Sequence, residues 1–459
     1  MIFNIKYLIF LIILLILLKC KLSLNNFKIK INKKYLEYQT KLNFSFCGSL
    51  DKKIKIGIYS IGLKYGGTER ITSLLLNYIH KIKIFNIYLF TKKAKEENEY
   101  FIPQLIERYT IKSNNTNNLI KRIKKQKLDI FIYQFSNYHE INKLNKLKKI
   151  KILFYNHFSF FYWVYFNFKK FIYLYQEFQK AKFIISLVHL ENDYLFEKWG
   201  INSILMNNFI TYDYNSTFAS DLSRKTIIMI GRIHDRFKRF DLGINSMEYI
   251  IQENDEYTMN IISNKNDTNI FANLVYNLNL DKNIKFIEYT SSPETFFKNG
   301  RLHFFPSVSE AFPMVLCESK IYGIPTILLG LDYITMSEGG NIIIYDDIPE
   351  TLAEQAIKLL KENKLCQQLG IEARKSMKKY NNNILAYKWI RLLLSIYNNN
   401  EYYYLQLKEE NKKLSINELL NIINNQLKLL KKRENKFSNI TINDFQNLIL
   451  LIYTSILYQ

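Results

Sequence analysis

Short apolar runs alternate with amphipathic segments over most of this chain. In the first half the apolar runs cover residues 54–62, 85–91, 128–135, 151–157 and 182–188. Most of their positions are apolar, neighbouring positions included, which is typical of strands that are buried on both faces. Buried strands separated by helical segments predict a parallel sheet with helices on either side.

The same alternation restarts after a polar break at residues 211–225. The later apolar runs cover residues 226–231, 257–263, 284–290, 302–307, 325–330 and 341–345. The pattern therefore predicts an α/β protein with two doubly wound, Rossmann-like domains that face one cleft. We expect these domains at residues 52–218 and 222–383, followed by a closing helix at residues 384–398.

The two ends of the chain differ from this pattern. Residues 7–18 form an uninterrupted apolar run, which is short for a membrane span and is followed by Lys19, Cys20 and Lys21 instead of a small-residue cleavage site. We therefore predict an uncleaved hydrophobic anchor at residues 1–21, and the lysines after the run favour a cytosolic body on the membrane. The alternative is a cleaved signal segment and a protein of the secretory pathway. Residues 399–459 carry an amphipathic, charge-rich pattern that predicts a helical extension.

The formal net charge of +23 raises the question of a nucleic-acid partner. The excess is mostly lysine in a chain that is equally rich in asparagine, isoleucine and tyrosine, and no zinc-finger or RNA-binding motif accompanies it. We therefore expect no nucleic-acid partner, and weak attraction to an anionic membrane is the better interpretation. Four scattered cysteines indicate reduced thiols rather than a metal site or a disulfide framework.

Candidate chemistry centres on SEAFPMVLCESKIYGIPTI, residues 309–327. Pro313 suits the first position of a helix, and Gly323 with Pro325 would end that helix. The free N–H groups around its start would point out of the carboxyl edge of the sheet, where they favour a phosphate. Glu310 in the preceding loop and Glu318 in the helix could accept hydrogen bonds from sugar hydroxyls. Taken alone, Glu318 could equally be an ordinary helix acid.

Other candidate residues follow three further strands. Arg232 comes directly after residues 226–231 and Lys238 follows six residues later, where two cations could neutralise a diphosphate. Gly66 and Gly67 precede the first helix without forming the dinucleotide-binding glycine fingerprint, which disfavours a nicotinamide-dependent dehydrogenase, and no P-loop motif is present. His157 ends the run 151–157, where it could orient a hydroxyl group or simply pack against neighbouring aromatic residues.

These segments, in this order, resemble the retaining glycosyltransferases of GT-B fold, family 4 (glycosyl transferases group 1). The matching pieces are GGTER at residues 66–70, the Asn-His pair at 156–157, GRIHDRFKRFD at 231–241 and EAFPMVLCE at 310–318. The resemblance covers about residues 53–397. It implies transfer of a sugar from a nucleotide-sugar with retention of anomeric configuration, and no metal or other cofactor.

The resemblance also implies roles for particular residues. Glu310 and His157 would be the catalytic residues, with Glu310 at the donor sugar and His157 near the acceptor. Glu318 would bind the ribose. The remaining donor-binding residues would be Gly66, Gly67, Arg232, Lys238, Phe312, Pro313, Met314 and Val315. We favour a UDP-sugar donor and a glycan, lipid-linked or protein-linked acceptor. The alternative is a degenerate GT-B domain that only binds glycan or protein.

Overall fold

The computed structural model describes residues 53–399, except residues 65, 112–115, 135–136, 160, 162–167, 202, 215–218, 264–269, 290–293 and 332. The predicted anchor at residues 1–21 and all but the first residue of the predicted extension lie outside this range. Within it, no helix has both the length and the apolar character needed to cross a membrane.

The first domain is built on a parallel sheet that is buried between helices. Its strands are β1 (Ile54–Ser60), β2 (Phe85–Thr91), β3 (Glu107–Thr110), β4 (Ile130–Tyr133), β5 (Lys151–Tyr155), β6 (Phe183–Ser186) and β7 (Ile204–Leu205). They lie in the order β3-β2-β1-β4-β5-β6-β7, and every adjacent pair is parallel. The helices of this domain are α1 (Gly67–Ile79), α2 (Thr116–Lys125), α3 (Tyr138–Asn145), α4 (Phe168–Phe178) and α5 (His189–Trp199).

The second domain repeats this architecture. Its parallel strands are β8 (Thr226–Ile230), β9 (Thr258–Ser263), β10 (Ile284–Glu288), β11 (Leu302–Phe305), β12 (Thr326–Leu329) and β13 (Asn341–Ile344). Their order, β10-β9-β8-β11-β12-β13, is that of a doubly wound sheet. The helices are α6 (Phe240–Glu253), α7 (Ala272–Asn277), α8 (Glu294–Lys298), α9 (Met314–Ile321), α10 (Pro349–Lys361) and α11 (Asn363–Ser376).

The closing helix α12 (Asn382–Tyr397) returns the chain to the first domain. The side chain of Asn381 caps it by accepting hydrogen bonds from the N–H groups of Asn383 and Ile384. The buried indole of Trp389 packs edge-on against Tyr155 of β5, with ring centroids 5.2 Å apart. A single chain crossing therefore leads into the second domain, and α12 leads back out of it.

The prediction of two parallel α/β domains is confirmed, with two differences in detail. Strands β3 and β7 were missed, because β3 is the half-exposed edge sequence ERYT and β7 has only two residues. The sequence placed Pro313 at the first helical position, but α9 begins at Met314. Pro313 is instead the N-cap, and its ψ of 112° is extended, so the chain enters the helix directly from the loop. Gly323, with φ +70°, ends this helix as expected.

Candidate functional site

The carboxyl edges of the two sheets enclose a cavity of about 700 Å³. It is lined by residues of both domains, which suits a site where two substrates meet. Every residue singled out in the sequence reaches it: Gly66, Gly67, His157, Arg232, Lys238, Glu310, Phe312, Pro313, Met314, Val315 and Glu318. Residues far apart in the chain are thus brought together at one place.

Two helix N-termini, one from each domain, lie close together at this cavity. Helix α1 begins at Gly67, after Gly66 in an extended conformation, and α9 begins at Met314. A Cβ atom added at Gly67 would lie 4.0 Å from Cγ of Met314. Because unpaired N–H groups and the helix dipole make such ends favourable for anions, the two domains together offer a position for a phosphate group.

The cation Lys238 is paired with the acid Glu310. Lys238 lies in a short turn after β8, and its ammonium contacts Oε1 of Glu310. The hydroxyl of Ser307 donates to the same oxygen at 2.6 Å, while the N–H of Glu310 donates to the hydroxyl of Tyr333 at 3.0 Å. The side chains are 20% and 12% exposed, so both can still reach a ligand.

The other predicted cation, Arg232, is mostly solvent-exposed. Its guanidinium lies 3.2 Å from Oδ2 of Asp235, and 59% of its side chain is accessible. A surface pair of this kind contributes little to stability, so an incoming anion can recruit the guanidinium at low cost. Arg232 and Lys238 therefore supply positive charge beside the two helix ends.

The second acid, Glu318, is buried and linked to the first domain. It is 1% exposed, and its Oε1 accepts a hydrogen bond from the hydroxyl of Thr211 at 2.8 Å and pairs with the guanidinium of Arg70. Burial raises the pKa of Glu318, and Arg70 and Thr211 only partly oppose this shift. A ribose bound here, as the sequence predicts, would share the carboxylate with Arg70.

Arg70 was missed as a candidate site residue. It belongs to α1, is 6% exposed, and contacts the hydroxyl of Tyr289 in the second domain. The ring of Tyr100 lies under its guanidinium, with 5.0 Å between Cζ and the ring centroid. The only signal in the sequence was the place of Arg70 in GGTER, because nothing local indicates its partner 248 positions away.

His157 is half-buried and neutral. Burial lowers its pKa to about 3. Its Nε2 lies 3.0 Å from Oε1 of Gln134, whose amide nitrogen donates to Thr72 and to the carbonyl of Tyr59. Because that amide orientation leaves Gln134 Oε1 as an acceptor, Nε2 of His157 carries the proton and Nδ1 is the acceptor. A neutral imidazole can bind a sugar hydroxyl but brings no positive charge.

Among the residues described here, no group of three or more His, Cys, Asp or Glu side chains is arranged to hold a metal ion. The two cysteines in this range, Cys317 and Cys366, are both buried and free.

Comparisons with known proteins place the second domain in a family. Residues 215–376 match the family described as glycosyl transferases group 1. A curated relative, the poly(ribitol-phosphate) alpha-N-acetylglucosaminyltransferase of Staphylococcus aureus (strain COL), is 23% identical over 164 residues. That alignment spans 34% of this chain and only 33% of the relative, about a third of its length.

Solved structures are similar over a larger part of the chain. Sucrose-phosphate synthase from Thermosynechococcus elongatus has a TM-score of 0.65 at 12% identity, covering 76% of this chain and 100% of its own. Anabaena HepE, in complex with UDP and glucose, has a TM-score of 0.62 at 11% identity, covering 74% and 100%. S. aureus TarM, in complex with fondaparinux, alpha-GlcNAc-glycerol and UDP, has a TM-score of 0.61 at 13% identity, covering 76% and 100%. The chain therefore has the GT-B fold, and residues 215–376 of its second domain match the glycosyl transferases group 1.

Proposed function

We propose that this protein is a retaining glycosyltransferase that uses a UDP-sugar donor and needs no metal ion. The observation that carries the proposal is the convergence of two helix N-termini with Arg232 and Lys238 at one cavity between the domains. A nucleotide diphosphate is the ligand that such an arrangement suits, because its charge is offset by backbone N–H groups and two cations. The HepE and TarM structures are complexes with UDP, which supports the same nucleotide here.

In this proposal, binding of the diphosphate redistributes the pairs seen around the cavity. The ammonium of Lys238, which contacts Glu310 in the structure, then also contacts the diphosphate. The exposed guanidinium of Arg232 contacts the diphosphate from the other side. Glu310 is then left to accept hydrogen bonds from the donor sugar, while Glu318, held by Arg70 and Thr211, accepts them from the ribose. The positive charge stabilises the diphosphate as it leaves, where the transition state needs it most.

Retention follows from attack on the face that the diphosphate leaves. The bond between the anomeric carbon and the diphosphate oxygen breaks, the acceptor oxygen bonds to the same face, and the acceptor proton passes to the leaving diphosphate. His157, neutral and with Nδ1 as an acceptor, orients a hydroxyl group beside the reacting centre. The acceptor is a glycan that is either free, lipid-linked or protein-linked, and we propose a membrane-associated enzyme with a cytosolic body. Cleavage of the N-terminal segment, with secretion, is the alternative.

The test compares Lys238→Ala with Lys282→Ala, an exposed lysine before β10 that does not line the cavity. Isothermal calorimetry with UDP should show roughly 10- to 100-fold weaker binding for Lys238→Ala, because a charged hydrogen bond contributes about 1.5–3 kcal/mol. Lys282→Ala should bind UDP like the wild type. Equal UDP affinity for all three proteins would refute the proposed donor site.

Turnover separates the enzyme from a degenerate binding module. A panel of UDP- and GDP-sugars should reveal slow hydrolysis of one donor by the wild-type protein and none by Lys238→Ala. A protein that binds UDP but hydrolyses no donor, and transfers to no acceptor supplied as a mixed glycan fraction, would favour the binding module. With a product in hand, the anomeric proton coupling in NMR reports whether configuration is retained.

A further inference from the structure

Lysines gather along the amino edge of the first sheet, opposite the cavity. Strands β2, β1, β4, β5 and β6 are parallel neighbours, so their first residues lie in one row. Each strand has a lysine within the three residues before it: Lys83, Lys53, Lys127, Lys149 and Lys182, all exposed. Since neighbouring strands lie about 4.8 Å apart, this row crosses roughly 20 Å of surface. We call it the basic edge.

More cations flank the row, and few acids accompany them. The last turn of α2 carries Arg122, Lys124 and Lys125, and the segment before β5 adds the exposed Lys146 and Lys148. No acid occurs in residues 116–128 or 141–151. Two acidic side chains at this edge interact with neighbouring groups of the protein. Asp129 accepts a hydrogen bond from the N–H of Lys55 at 2.8 Å, and Glu177 pairs with Lys180 at 2.6 Å.

The corresponding edge of the second sheet is different. Before β9 and β10 it carries Glu253, Asp255, Glu256 and Asp281 next to its lysines. Its Lys225 is paired with Glu256. The two domains share one architecture, yet only the first concentrates positive charge at this edge. The basic edge is therefore a local feature and not merely a result of the overall charge of +23.

Both ends of the described chain also lie at the basic edge. The polypeptide enters the first domain there, because β1 begins at Ile54. It leaves there as well, because the ammonium of Lys151, the first residue of β5, contacts the carbonyl of Tyr397 at the end of α12 and lies 5.5 Å from its ring. In the sequence, the apolar residues 7–18 precede this entry point and the apolar stretch 447–458 follows this exit point.

We propose that the basic edge docks the enzyme onto an anionic lipid surface. The inference deepens the proposed membrane association and rests on it. Lysines near such a surface are attracted to acidic headgroups, and the attraction is screened by salt. The cavity lies at the opposite ends of the strands, so docking by this edge leaves it accessible to a soluble nucleotide-sugar.

The test uses the full chain and two triple variants with the same change in charge. The edge variant is Lys83→Gln/Lys149→Gln/Lys182→Gln, and the control is Lys225→Gln/Lys282→Gln/Lys298→Gln in the second domain. All six lysines are exposed. Co-sedimentation with vesicles of phosphatidylcholine, with or without a quarter of phosphatidylglycerol, gives the preference for anionic lipid in 0.1 M and 0.5 M salt.

We expect the edge variant to lose affinity for the anionic vesicles on the order of 100-fold in 0.1 M salt, since each lysine near a membrane contributes roughly fivefold. The control variant should stay within about threefold of the wild type. An edge variant that binds anionic vesicles like the wild type, or two variants that lose affinity equally, would overturn the proposal. So would unchanged vesicle binding with weakened binding of a single-stranded oligonucleotide, which would indicate a nucleic acid. UDP calorimetry on the same proteins reports separately on the donor site.

Discussion

Arg70 and Glu318 form a buried ion pair between the two domains, and replacing Arg70 by methionine tests its role. The side chains are 7% and 1% exposed. Methionine keeps much of the volume but removes the charge, which leaves the Glu318 carboxylate with the hydroxyl of Thr211 as a neutral partner. Removing one partner of a buried pair costs about 3–5 kcal/mol of stability. For a domain of this size, that loss corresponds to a melting temperature lower by roughly 6–20 °C.

The loss in Arg70→Met should depend on pH. Burial already raises the pKa of Glu318 in the wild type, and Arg70 is the main influence that lowers it. Without Arg70 the pKa rises further above the value of about 4.3 in the unfolded chain. A folded-state pKa above the unfolded value means that stability is lost as pH rises through the folded pKa. We therefore expect a larger loss at pH 8 than at pH 5, because the raised pKa leaves more of the Glu318 carboxyl protonated, and so uncharged, at the lower pH.

Differential scanning fluorimetry at pH 5 and pH 8 measures this difference. The matched variant is Arg70→Met/Glu318→Gln, which removes both charges and should recover much of the stability lost at pH 8. If Arg70→Met destabilises the protein equally at both pH values, or if the double variant is no more stable than the single one at pH 8, the charge on Glu318 is not what Arg70 compensates.

Two further predictions concern the second domain. Lys320 is fully buried, its ammonium contacts the carbonyl oxygens of Met336 and Glu338, and burial lowers its pKa to about 7. Between pH 7 and the unfolded pKa of Lys320 near 10.5, the unfolded chain binds one more proton than the folded protein, so wild-type stability should rise with pH. Relative to Lys320→Met, the wild-type free energy of unfolding should increase by roughly 2 kcal/mol from pH 7.5 to 9.5. Urea titrations measure this, and parallel pH curves for the two proteins would contradict it. Gly340 has φ +69°, and a Cβ atom there would clash with the backbone of Ala373, so Gly340→Ala should lose more than about 1 kcal/mol of stability. The control is Gly62→Ala, where a Cβ atom would meet only side-chain atoms at 3.4 Å or more, and its stability should change little. Thermal melts of the two variants measure this difference.

The sequence alone was sufficient to predict most strands and the two-domain plan. Buried parallel strands can be predicted from local apolar runs, because most of their positions are apolar whichever neighbour the strand pairs with. The strands that were not predicted, β3 and β7, lack a continuous apolar run. The start of α9 was misplaced by one residue, since proline is compatible with both the N-cap and the first helical position and only the extended ψ of Pro313 decides between them.

The candidate site was also largely predictable as a set of residues. Glu310, Lys238 and the glycines before α1 stand at strand and helix ends, and parallel topology takes all such ends to one edge of each sheet. The partners of these residues were not predictable. Whether Lys238 faces Glu310, and which proton His157 carries, depend on side-chain contacts between segments that are distant in the chain.

What the sequence determined by itself is therefore what local patterns encode: the elements, their order, and the edges at which polar residues collect. What the tertiary structure decided is how the two domains meet. The pair between Arg70 and Glu318, 248 positions apart, forms only when the start of α1 in one domain lies next to α9 of the other. The basic edge likewise becomes one surface only when parallel pairing aligns the starts of strands from separate parts of the chain. The physical reason is that the electrostatic potential depends on where charges lie in space and not on where they lie in the sequence.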